Sequence, residues 1–118
     1  MADPWLPQEL TESGNIQSME KGRAHYDLQA LKDAVLAQGA AAFTRLAMRG
    51  IDAMGLSLAQ AVTVVLGLRR GMLLKSMTTH SDHRVWQDVY QAPCPNGKTA
   101  YIKATLQDGA VVIQFKEK

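Results

Sequence analysis

The chain has 118 residues, 47% of them hydrophobic and 20% charged, which is the size and balance of one globular domain. Its longest apolar stretch, Ala59 to Leu68, is interrupted by Gln60, Thr63 and Gly67 and falls short of the roughly 20 residues that cross a bilayer, so no membrane partner is expected. The net charge of +2 excludes a strongly acidic or strongly basic protein, and the single Cys94 excludes an intramolecular disulfide framework and a Cys-rich zinc site.

Residues 1–20 hold Pro4, Pro7 and Gly14 without apolar periodicity, so a mobile arm is expected ahead of a single domain over residues 21–118. The first 18 residues carry Asp3, Glu9 and Glu12 and no Lys or Arg. That is the reverse of a secretory leader, and a cytoplasmic location is the expectation. Met19-Glu20-Lys21 offers an alternative start. From Asp27 the pattern becomes helical: Leu28, Leu31, Val35 and Leu36 follow an N-capping Asp and precede Gly39. A second helix is expected from an N-cap at Thr44 to Gly55, and a third from Ser57, whose Gln60 completes a capping box, to about Gly67.

After Arg69-Arg70-Gly71 the period turns to alternation. Met72–Thr78, Arg84–Gln91, Thr99–Gln107 and Ala110–Lys116 read as strands. Three helices followed by a four-stranded antiparallel meander make an α+β fold. Asp108-Gly109 between two alternating runs signals a two-residue type I′ turn, which fixes the register of the last hairpin. Gln107 then faces Ala110, and Leu106–Val111, Ala104–Ile113 and Ile102–Phe115 form one apolar face. The other face pairs Thr105 with Val112, Lys103 with Gln114 and Tyr101 with Lys116. A polar face of this kind is either the ordinary solvent side of a sheet or a binding surface.

The charge is unevenly spread. Residues 1–68 carry five basic and seven acidic side chains, and residues 69–118 carry eight and four, with His80 and His83 besides. A basic half suits a polyanionic partner, although a solvated surface explains it as well. Familiar catalytic signatures are missing: there is no phosphate-cradling glycine loop and no nucleophile elbow. His80-Ser81-Asp82-His83 reads as a polar loop rather than a metal site or a triad, because neighbours on a short loop rarely meet in catalytic geometry. No cofactor or metal is expected.

The run Lys75-Ser76-Met77-Thr78-Thr79-His80-Ser81-Asp82-His83-Arg84-Val85-Trp86-Gln87-Asp88-Val89-Tyr90, with Tyr101-Ile102-Lys103 and the terminal Phe115-Lys116-Glu117-Lys118, resembles the MqsR family. These are the motility quorum-sensing regulator toxins of bacterial type II toxin-antitoxin systems. The resemblance is dense over Lys75–Tyr90 and at the C-terminus, loose over residues 20–74 and absent before them. It implies a RelE-like fold and a metal-independent endoribonuclease that cleaves mRNA at short GC-containing sites such as GCU. It further implies that Lys75, Gln87, Tyr101 and Lys116 are the active-site residues. The implied partner is an MqsA-type antitoxin, with a zinc-binding domain and a helix-turn-helix domain for operator DNA.

Such a set suits attack of a 2′-hydroxyl on the adjacent phosphorus, which requires a base, positive charge for the phosphorane and an acid for the leaving oxygen. Lys and Tyr both titrate near 10, but crowding Lys75, Lys103 and Lys116 would favour a neutral lysine. The base role therefore goes to Lys75 or Tyr101, transition-state stabilisation to Lys116 and substrate positioning to Gln87. Met77 is retained from the family pattern. His80 is expected at the rim of the site, and Lys103, Arg84, Arg69 and Arg70 are candidates for phosphate contacts. Trp86 and Tyr90 alternate with Gln87 and should pack inward. Leu74 and Gln91 stand where family members carry an aromatic residue and an arginine that help to read RNA. Two rival readings are a helix-turn-helix binding module and a catalytically dead relative. The first is disfavoured because the expected helices are poor in Lys and Arg, the second because all four active-site residues are present.

Overall fold

The computed structural model describes residues 19–118. The mobile arm expected over residues 1–18 lies outside them. Three helices, α1 (Leu28–Gln38), α2 (Arg45–Ala53) and α3 (Leu58–Leu66), pack against one face of an antiparallel sheet. The sheet runs β1 (Glu20–Lys21), β2 (Leu73–Thr78), β3 (Trp86–Pro93), β4 (Thr99–Gln107) and β5 (Ala110–Glu117), with its strands in chain order. No single helix among the described residues is long and apolar enough to cross a membrane.

Local chemistry sets each helix start. Asp27 accepts from the Ala30 N–H at 2.9 Å and Thr44 from the Ala47 N–H at 2.9 Å, while Ser57 and Gln60 form the reciprocal capping box. Leu31 and Val35 of α1, Ala47 and Ile51 of α2, and Val64 and Val65 of α3 turn inward. They meet Tyr90, Ile102, Ile113 and Phe115 from the sheet in one core. Burial of a side chain such as Phe115, 2% exposed, is worth roughly 1.5–3 kcal/mol.

The C-terminal hairpin has the expected register along its whole length, from Gln107↔Ala110 through Tyr101↔Lys116. Asp108 (φ 52°) and Gly109 (φ 78°) both take the left-handed conformation that a type I′ turn demands. The outer edge of β5 is not left open. The Gln38 side chain accepts from the Val111 N–H at 2.8 Å and donates to its carbonyl at 3.1 Å, and the Thr44 N–H donates to Ile113 O at 3.1 Å.

Two expectations need correction. The sheet has five strands rather than four, because Glu20 and Lys21, at the end of the expected arm and the start of the domain, pair with Met77 and Ser76 on the free edge of β2. The strand expected over Arg84–Gln91 begins at Trp86 and ends at Pro93, as β3. Residues 79–85 close on themselves: the Thr79 hydroxyl donates to Asp82 O at 2.6 Å, the Val85 N–H also donates to Asp82 O, and the Arg84 N–H donates to the Asp82 carboxylate. Backbone groups spent within the loop are lost to the ladder.

Candidate functional site

The face of the sheet turned away from the helices carries the residues singled out from the sequence. Residues directly opposite in an antiparallel pair share a face, so the register reads out its rows. One row is Lys75, Val89, Lys103 and Gln114, and the next is Gln91, Tyr101 and Lys116. Gln87 lies opposite Met77, which in turn lies opposite Glu20. All four residues singled out from the sequence, Lys75, Gln87, Tyr101 and Lys116, thus occupy this one face.

A bulge makes this possible on β2. Leu73 pairs with Tyr90 and Lys75 with Val89, leaving Leu74 as the extra residue. In an unbroken strand Leu73 and Lys75 would point the same way. The bulge instead lets Leu73 pack against the core while Lys75 emerges on the open face. Leu74 is exposed.

A concavity of about 310 Å³ opens on this face between the end of β2 and strands β3 to β5. Met77, Gln87 and Lys103 line it together with Gln114, and Thr79, His80 and Ser81 of the closed loop contribute its border. Lys103 is only 5% exposed, which replaces the surface position considered for it with one in the floor. His80 is exposed and lies at the border of this concavity. Tyr101 and Lys116, both half-buried, face each other across β4 and β5 outside the concavity.

The lysines are not crowded into one cluster. Lys75 on β2 and Lys116 on β5 stand three strand spacings apart, about 14 Å. Lys75 Nζ instead donates to Glu20 Oε2 at 2.9 Å, both side chains remaining well exposed to solvent. Arg84 is taken up by Asp82, with Nε 3.1 Å from Oδ1, and this contact holds the Asp82 carboxyl below its ordinary range. Arg70 borders a separate recess with Arg23, Tyr26, Asp27 and Tyr90, so Arg69 and Arg70 lie apart from the concavity. Gln91 sits opposite Tyr101.

The inward face of β3 anchors the segment that carries Glu20. Asp88, fully buried, accepts from the His25 N–H at 2.9 Å and the Tyr26 N–H at 2.9 Å. The Tyr26 hydroxyl donates to Trp86 O at 2.7 Å. The His25 ring stacks on Trp86 at 5.3 Å, and Lys21 lies 4.2 Å from the centre of the Trp86 ring. Tyr90 joins the core as expected, and burial pushes its hydroxyl up to about 12, outside any acid–base role near neutrality. Trp86 is only half-buried, covered by residues 21–25 in place of a helix. Gln114, Thr79 and Ser81, which line the concavity, and Glu20, which pairs with Lys75, are residues that the sequence reading did not single out as candidates. None of them had a signal there, since Glu20 pairs with Lys75 only through the short edge strand that the folded sheet recruits.

The chain is thus a small α+β protein whose helices cover one face of an antiparallel sheet and whose other face bears Lys75, Lys103 and Lys116. Residues 23–117 match the family model described as "Motility quorum-sensing regulator, toxin of MqsA". The chain is 39% identical over 100 residues, 85% of its length, to the mRNA interferase toxin MqsR of Escherichia coli (strain K12), whose whole length is covered. The chain belongs to the MqsR toxin family.

Proposed function

We propose that the protein is the toxin of a type II toxin-antitoxin system and acts as an mRNA interferase, cleaving mRNA on the open face of its sheet. The observation that carries this reading is the opposition of Tyr101 and Lys116 on the face that also bears Lys75 and Gln87, in a chain 39% identical to an mRNA interferase toxin. An RNA strand laid across β2 to β5 meets cations on both sides of β3. Lys116 stabilises the charge that builds on phosphorus, Tyr101 orients the phosphate beside it, and Gln87 fixes the ribose or base with its amide. Lys103 in the floor, Met77 beside it and His80 at the border hold the neighbouring nucleotide. Arg84 contributes a phosphate contact from the loop, and Arg69 and Arg70 act only at longer range.

The chemistry is transfer of phosphorus to the 2′-oxygen without a metal ion, giving a 2′,3′-cyclic phosphate and a 5′-hydroxyl. Of the groups read from the sequence, Lys75 and Tyr101 are the candidates for the base. The pairing of Lys75 with Glu20 turns that role toward a carboxylate, as developed below. GC-containing triplets such as GCU are the proposed sites, with Leu74 and Gln91 modifying the preference. The restraining partner is an antitoxin of the MqsA type, bearing a zinc-binding domain against the toxin and a helix-turn-helix domain on operator DNA.

A helix-turn-helix role for this chain itself is disfavoured by α3. Although α2 and α3 meet at 101°, Leu58–Leu66 contains no charged side chain to face a phosphate backbone. Induced expression of the wild type and of Lys75→Ala, Tyr101→Ala and Lys116→Ala tests the proposal. Growth arrest with new RNA ends in the wild type alone is the expected result. A folded wild type that produces neither overturns it.

A further inference from the structure

The four residues carried by the family resemblance include two cations, a phenol and an amide, and none of them is a carboxylate. Attack by a ribose hydroxyl requires a group with a lone pair available at neutral pH, and carboxylates are such groups. The open face holds one where the sequence reading placed none. We propose that Glu20 is a catalytic residue, the general base that takes the proton of the attacking 2′-hydroxyl, with Lys75 as the cation that holds it. The inference rests on the ribonuclease reading above.

Three observations carry it. Glu20 is on the right face: it lies opposite Met77, which lies opposite Gln87, both lining the concavity. It is reachable, since the Glu20 and Lys75 side chains are 44% and 38% exposed. It is also held. The Met19 N–H donates to the Thr78 hydroxyl, the Thr78 N–H donates to Met19 O, and Asp88 grips the backbone of His25 and Tyr26 further along. An exposed ion pair by itself adds little to stability, so the pair is poorly explained as a structural brace. A segment pinned at both ends, presenting a carboxylate on a lysine, is the preorganisation that proton transfer rewards.

Glu20 and Lys75 occupy β1 and β2, Tyr101 and Lys116 occupy β4 and β5, and β3 runs between them. A Glu20 carboxylate oxygen takes the 2′-hydroxyl proton as the 2′-oxygen lone pair forms the bond to phosphorus. The bond from phosphorus to the 5′-oxygen breaks with its electron pair moving to that oxygen, which takes a proton from water and leaves hydroxide. Glu20 then gives its proton to that hydroxide, which restores the carboxylate and the water.

The test is kcat/KM against pH for a synthetic oligoribonucleotide cleaved by wild type, Glu20→Gln, Glu20→Asp and Lys116→Ala, with thermal melting of each. Glu20→Gln is expected to melt like the wild type, lose activity by about 10²–10⁴-fold and lose the acid limb of the profile. Glu20→Asp should keep the limb at a reduced rate. Glu20→Gln cleaving as fast as the wild type with the limb intact overturns the assignment, and so does a faster Glu20→Gln, which would mean that the carboxylate masks Lys75. A folded wild type that cleaves nothing overturns the ribonuclease reading itself, a different failure from either of these.

Discussion

Gly50, in the middle of α2, lies directly against the Phe115 carbonyl of β5, so that a β-carbon there would collide with that oxygen and stand 3.3 Å from the Lys116 α-carbon. The helix can approach this closely only because the residue has no side chain. The contact also sets the depth at which the strand bearing Lys116 is held. Because the obstacle is backbone, it cannot swing aside as the tip of a side chain would. Gly50→Ala is therefore expected to destabilise the protein by about 1–3 kcal/mol despite the better helix propensity of alanine. Urea denaturation checks this, and RNA cleavage should fall more than the unfolded fraction accounts for, because β5 must shift.

Asp88 provides a second structural test. Its buried carboxylate satisfies the N–H groups of His25 and Tyr26, and charged hydrogen bonds of this kind are worth about 1.5–3 kcal/mol. Asp88→Ala should cost at least that much and release residues 20–26 from the sheet. Faster hydrogen exchange at His25 and Tyr26, with α1 to α3 still protected, is the expected pattern. Cleavage should fall with it, since Glu20 is carried on the released segment.

How much of this was legible in the sequence depends on whether a single local signal decided the geometry. The last hairpin was, because Asp108-Gly109 sets a register that eight consecutive pairs obey, and the opposition of Tyr101 and Lys116 followed from it. The helix starts were legible for the same reason: Asp27, Thr44 and Ser57 each cap through their own side chains. Strand β1 was not, since two residues have no period, and their pairing exists only because β2 offers a free edge. The bulge at Leu74, the Gln38 amide on Val111, the closeness of Gly50 to Phe115 and the Glu20–Lys75 pair all join residues distant in the chain. No spacing rule connects such pairs, and only the folded sheet brings them together.

His25 gives a pH dependence of defined sign. Burial, aided by the nearby Lys21 ammonium, holds its imidazole below its ordinary 6.5, while Asp88 pulls weakly the other way. Lys21 Nζ lies 2.8 Å from His25 Nδ1, a contact suited to the neutral ring. The unfolded chain therefore binds a proton at this position before the folded chain does. The contribution to stability is fully present above about pH 6.5, and it is lost as the pH falls from there through the lower folded value. Since the ring is largely exposed, the effect is small. Melting temperatures between pH 7.5 and 5 should fall more for the wild type than for His25→Gln.

Tyr101 and Lys116 should act as a unit. Each faces away from the core, so Tyr101→Phe and Lys116→Ala are expected to leave the melting temperature nearly unchanged and to lower kcat, with KM less affected. A loss of about 10²–10⁴-fold is expected for Lys116→Ala. The double variant should lose much less than the product of the two single losses.

The central claim is that this open sheet face cleaves RNA by 2′-oxygen attack without a metal ion. The most direct measurement is end-group analysis of an mRNA incubated with purified protein in excess EDTA, beside the same sequence with 2′-deoxy substitutions. The account predicts 2′,3′-cyclic phosphate and 5′-hydroxyl ends from the ribose substrate, no cleavage at the deoxy positions, and no loss of rate on chelation. Cleavage abolished by EDTA, or 5′-phosphate ends on the products, would contradict it.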